Sequence, residues 1–110
     1  MNKFKLALLA FTSLTLTASA AYALDDAGRE ALIKDSKCLK CHAVEKKKVG
    51  PSFHETAEKY KGKADAEQKL YTHLTTGPMV KIDENDEAHV KIKTTNEADI
   101  KAVIAWILAQ

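Results

Sequence analysis

The chain has 110 residues, 45% from the hydrophobic set and 29% charged, with two cysteines and four histidines. That is one domain's length, too short for a multidomain enzyme or a doubly wound nucleotide-binding fold. It contains no low-complexity tract, tandem repeat or long run of Gly, Pro or Ser, so a folded domain is expected rather than disorder.

Residues 1–23 read differently from the rest. Lys3 and Lys5 make a basic start, Leu6 to Leu16 is apolar apart from small hydroxyl residues, and Ala18-Ser19-Ala20 and Ala21-Tyr22-Ala23 offer small-residue cleavage sites. This is the pattern of a secretory signal peptide, with Ala23 the preferred cleavage point and Ala20 the second. The apolar run is shorter than the roughly 20 residues of a spanning helix, which argues against a retained membrane anchor. Cleavage leaves residues 24–110 as a single domain exported to the periplasm and no longer attached to the membrane. The formal charge of +2 then falls to zero, because Lys3 and Lys5 are lost while all 15 acids remain. A general affinity for nucleic acid is therefore not expected. The remaining charge is uneven: Lys37 to Lys63 holds eight lysines against three glutamates, and Asp83 to Glu87 holds four acids.

Along the exported part, Asp25 or Asp26 caps a first helix that runs as far as Ser36, with Ala27, Ala31 and Leu32 facing inward. Val49-Gly50-Pro51 marks a loop, and Ser52 caps a second helix through Phe53, Ala57 and Tyr60 that Gly62 ends. Asp65 caps a third helix carrying Ala66, Leu70, Tyr71 and Leu74, stopped by Gly77-Pro78. The helical period is then lost. Val80 and Ile82, then Val90 and Ile92, alternate with polar residues around Asp83-Glu84-Asn85-Asp86, which predicts a small hairpin or extended loop over 80–93. Asn96 caps the last helix, with Glu97 and Asp99 in its first turn. Ile100, Val103, Ile104, Ile107 and Leu108 follow the spacing of a buried face. The expected fold is all-α, and so small a core calls for a staple or cofactor.

Both cysteines fall in Cys38-Leu39-Lys40-Cys41-His42. In an exported chain this C-x-x-C-H string reads as covalent haem attachment. Two thiols a helical turn apart each add to one haem vinyl group, and the adjoining imidazole of His42 becomes the proximal axial ligand. Other readings are weaker. A thioredoxin-like dithiol belongs beside a βαβ pattern that is absent, a structural zinc site needs four ligands, and a plain disulfide leaves His42 unexplained.

Cys38 to Ala43, then Val49-Gly50-Pro51-Ser52-Phe53, then a final helix bearing Trp106, together resemble the small bacterial class I cytochromes c. The resemblance runs from about Asp25 to Gln110. It implies about four helices around one covalently bound haem c, with crossed N- and C-terminal helices, and Trp106 among the cofactor-binding residues. Ile33 stands where an aromatic residue is common in the family. The resemblance also implies that the Pro51 carbonyl accepts a hydrogen bond from His42 Nδ1, turning Nε2 toward the iron.

The sixth ligand departs from the family, which takes a methionine from the loop before the last helix. Met79 follows the third helix directly, far from Thr95, and only Pro78 flanks it. His89 lies closer to where the family's ligand belongs. On position His89 is preferred and Met79 is the alternative, since both side chains ligate haem. Met79 has a plainer reading as a gap filler and His89 as a solvent-face residue of the hairpin. His54 and His73 are expected to be exposed side chains.

A haem with both axial positions filled has no room for substrate, so the expected role is one-electron transfer between redox proteins and not catalysis. Lys37, Lys40, Lys46, Lys47 and Lys48 would ring the haem edge and meet an acidic partner. Three alternatives stay open at this point. One is a haem protein with a displaceable sixth ligand that binds gases or acts as a weak peroxidase, and another is the small cytochrome subunit of a redox enzyme. The third is a haem-free dithiol oxidoreductase.

Overall fold

The computed structural model describes residues 24–110; the expected signal peptide at 1–23 lies outside the described residues. Four helices, a 3-10 turn and one hairpin make up the domain. They are α1 (Asp26–Asp35), the turn Cys38–Lys40, α2 (Phe53–Tyr60), α3 (Ala66–Thr76), β1 (Met79–Ile82), β2 (Asn85–Ala88) and α4 (Glu97–Leu108). Among the described residues no helix is long and apolar enough to cross a membrane.

Helix α4 is the centre of the core. Ile100, Val103 and Ile104 are each 1% exposed, and Ile107 extends the same face. α1, α2 and α3 all pack against α4, so its single apolar stripe gathers Ile33, Phe53, Leu70 and Leu74 around it. The Asn96 side chain starts α4 by accepting from the Asp99 N–H at 3.2 Å.

α1 begins as expected, with the Asp25 carboxylate accepting from the Gly28 N–H at 2.8 Å. Its inward face, however, is rotated from the expected one. Ala27 and Ala31 are exposed, Leu32 is half-buried and Ile33 is buried. The inward stripe is Arg29, Leu32, Ile33 and Ser36, because contact with α4 and not local pattern sets the phase of a helix with so few apolar residues. Arg29 lies over the Trp106 ring at 5.4 Å. Ser36 is buried, and its hydroxyl accepts from the Lys93 N–H at 3.0 Å, fastening the end of α1 to the segment entering α4.

Ser52 and Glu55 form a reciprocal capping box at the start of α2. Asp65 does not cap α3 through its side chain; its carboxylate pairs instead with Lys69 at 3.0 Å. At the other end Gly77 takes a left-handed conformation, φ 61°.

The hairpin is shorter than expected. β1 and β2 pair antiparallel with Met79 opposite Ala88 and Ile82 opposite Asn85, so the loop is the two residues Asp83 and Glu84. Val90 and Ile92, expected as the second strand, lie beyond it. Val90 is exposed, and Ile92 turns into the core with its N–H donating to the Leu74 carbonyl at 2.9 Å. An alternating pattern served here as an extended segment laid on α3.

Candidate functional site

The C-x-x-C-H segment is folded into a tight turn. The backbone N–H groups of Cys41 and His42 both donate to the Cys38 carbonyl, at 3.2 and 3.0 Å. The loop that follows folds back on it through Gly50 N–H to the Cys41 carbonyl (2.8 Å) and Phe53 N–H to the Ala43 carbonyl (2.9 Å). Both thiols are free and half-buried. Burial pushes the Cys38 thiol above its ordinary value. A dithiol oxidoreductase needs the opposite shift, because the thiolate is its nucleophile.

The His42 ring is held on three sides. Its Nδ1–H donates to the Pro51 carbonyl at 2.7 Å. Phe53 stacks nearly parallel to it, 18° between planes at 5.4 Å, and Trp106 meets Phe53 edge-on at 5.3 Å. The third side is Gly50, where an added Cβ would come within 2.6 Å of His42 Cε1. The sequence marked Gly50 only as a loop residue; its real requirement is that nothing larger than hydrogen fits beside the imidazole.

Across from His42 stands His89. The ring centroids are 6.2 Å apart with planes at 53°. Two metal–nitrogen bonds of about 2 Å in line, with about 1.2 Å from each nitrogen to its ring centre, span about 6.4 Å. The 6.2 Å between the two ring centres is close to that span. Among the described residues no group of three or more His, Cys, Asp or Glu is arranged to hold a metal. A haem supplies four nitrogens and two vinyl groups, and the two thiols of the adjoining turn answer the vinyls. The residues fit the group.

His89 is brought to this place by the end of α3. Its N–H donates to the Pro78 carbonyl at 2.8 Å, and its own carbonyl passes so near Gly77 that a Cβ there would meet it at 2.7 Å. The His89 ring nitrogen Nδ1 is buried without a hydrogen-bond partner. His89 lies outside the hairpin and is half-buried, whereas Met79 is 64% exposed on β1.

His54 is exposed, as expected, but His73 is not. Its ring lies 4.1 Å from that of His89. Desolvation, helped by the neighbouring His89 and His42, lowers its pKa to about 4. Sequence reasoning missed it because His73 sits one step off the Leu70/Leu74 face, and only the returning 89–92 segment covers it.

A family model for cytochrome c matches residues 26–110. The chain belongs to the cytochrome c family. It is 35% identical over 103 residues to cytochrome c-551 of Allochromatium vinosum, covering 91% of this chain and 98% of that one. Among solved structures, the class 1 cytochrome MtoD of Sideroxydans lithotrophicus is 44% identical, with a TM-score of 0.71 over 79% of this chain and 97% of that one. Cytochrome c552 of Nitrosomonas europaea is 32% identical, with a TM-score of 0.57 over 73% of this chain and 96% of its own. This cytochrome c is thus a small class I member with one covalently attached haem c, and a monohaem electron carrier.

Proposed function

We propose that this cytochrome c is an exported, periplasmic one-electron carrier without catalytic activity, its haem tethered by Cys38 and Cys41 and clasped between His42 and His89. The observation that carries this reading is the 6.2 Å separation of the two imidazole rings. When bound, the haem supplies an iron centre that exchanges one electron, and two imidazole ligands favour a lower potential than an imidazole and a thioether. His42 is the firmly held ligand, since its donated hydrogen bond fixes the ring and raises its basicity. Both rings are half-buried, His42 against Phe53 and His89 against His73, which limits water at the site and keeps the rearrangement that accompanies electron exchange small. Met79, projecting from β1, stays outside this arrangement.

The docking face is read as Lys37, Lys40, Lys46, Lys47 and Lys48. All five are exposed, and among the described residues none joins a salt bridge. Lys48 reaches across to donate to the Leu39 carbonyl at 2.8 Å, which keeps its ammonium at the cysteine-bearing turn. A partner with an acidic patch would be steered by this cluster, and the rate of electron exchange with it should fall steeply as salt is added. A flat salt profile would remove the lysines from the docking role.

The ligand assignment is tested by paired variants of the haem-loaded protein. His89→Ala should open the sixth position, so that the reduced form binds carbon monoxide at once, while the native protein and Met79→Ala bind it slowly. Immediate binding by the native protein would instead favour a ligand-binding haem protein.

A further inference from the structure

We infer that His73 is a positioning residue for His89, its ring setting the plane in which the distal imidazole faces the iron. The inference rests on His89 being the sixth ligand and adds what fixes that ligand's orientation.

The two imidazoles that face each other are secured differently. His42 has its hydrogen bond to the Pro51 carbonyl and Phe53 stacked on its ring. His89 has no comparable bond: its Nδ1 is buried without a partner in hydrogen-bond geometry, and the Val90 backbone acts on the ring only weakly. A ligating histidine ordinarily gives this second N–H to an acceptor, which fixes its tautomer and rotation. Something else must stop the His89 ring from turning about its Cβ–Cγ bond.

His73 is placed to do so. Its ring centre is 4.1 Å from that of His89, with 49° between planes. An end-to-end hydrogen bond between two imidazoles would put their centres about 5.4 Å apart, given a nitrogen–nitrogen distance near 3 Å. The contact is therefore ring against ring. His73 is itself fixed, standing on α3 between Leu70 and Leu74, both buried in the core. Gly77 and the Pro78 carbonyl hold the His89 backbone to the end of the same helix. Backbone and ring of His89 are thus both referred to α3, and the 53° angle to His42 follows from that placement.

The angle between two axial imidazole planes governs the splitting of the iron dπ orbitals, and so the anisotropy of the ferric electron-spin signal. A residue that merely filled space would not control it. The experiment compares the ferric haem-loaded protein with His73→Leu, which keeps volume but loses the flat face, and His73→Phe, which keeps the face but loses both nitrogens. Leu should broaden and shift the low-spin signal and speed displacement of His89 by cyanide about tenfold, the scale of an aromatic contact. Phe should keep signal and rate near native. A Leu variant indistinguishable from native in both readouts overturns the inference, as does a Phe variant that behaves like Leu. Failure of the underlying reading shows separately: His89→Ala would then keep the native low-spin signal.

Discussion

The Nδ1 of His42 lies 2.7 Å from the carbonyl oxygen of Pro51, the side-chain member of the set of hydrogen bonds that links the cysteine-bearing turn to the loop that enters α2. Gly50 makes the approach feasible, because its α-carbon lies against the imidazole with no space for a side chain.

Gly50→Ala should therefore act on the site itself. The added methyl must push the His42 ring away from Pro51 or open the loop, an overpacking cost of about 1–3 kcal/mol. Thermal unfolding of the haem-loaded protein should show the loss, together with a changed ferric spectrum. An Ala variant with native melting and native spectrum would mean that the ring has freedom the structure does not show.

Met79→Ala should do almost nothing. The side chain is 64% exposed on β1, and exposed positions of this kind change stability by no more than about 0.5 kcal/mol. The optical spectrum and potential should match native. A change in either would bring Met79 back to the iron.

Ser36→Ala should weaken the fold without touching the site. The buried hydroxyl accepts the Lys93 N–H, and leaving that donor unsatisfied costs about 1–3 kcal/mol. Chemical denaturation measures it. Ser36→Thr, which keeps an oxygen, should recover part of the loss if the added methyl is accommodated.

Acid should weaken the first turns of α4. Lys101 pairs with Glu97 at 2.8 Å and Glu67 at 3.7 Å, and the hydrogen bond and charge of Lys101 hold the Glu97 carboxyl below its ordinary value. A carboxyl depressed in the folded state lends stability above its unfolded pKa and loses it as pH falls through the folded one. The pairs are exposed, so the effect is small and screened by salt. Melting temperature against pH in the carboxylate range should be flatter for Lys101→Met than for native. Equal slopes would show that α4 owes nothing to this pair.

What the sequence revealed and what it hid divide along physical lines. α4 was legible because five apolar residues recur at helical spacing on one face, and Cys38 to His42 because chemistry dictates that spacing locally. The phase of α1 was not legible: Ala31 and Ile33 compete on pattern, and only contact with α4 selects Ile33. Val90 and Ile92 alternate as a strand would, yet Ile92 is bound to the Leu74 carbonyl and covers the core. The same long-range return puts His89 beside His73, so neither residue's surroundings could be read from its neighbours in the chain.

On the proposed assignment two imidazoles, those of His42 and His89, would hold the iron. Near-infrared magnetic circular dichroism of the ferric protein tests it most directly, since the charge-transfer band falls at different energies for bis-imidazole and imidazole–thioether haem. A bis-imidazole band that disappears in His89→Ala is the predicted result. A thioether band in the native protein, lost in Met79→Ala, would contradict it.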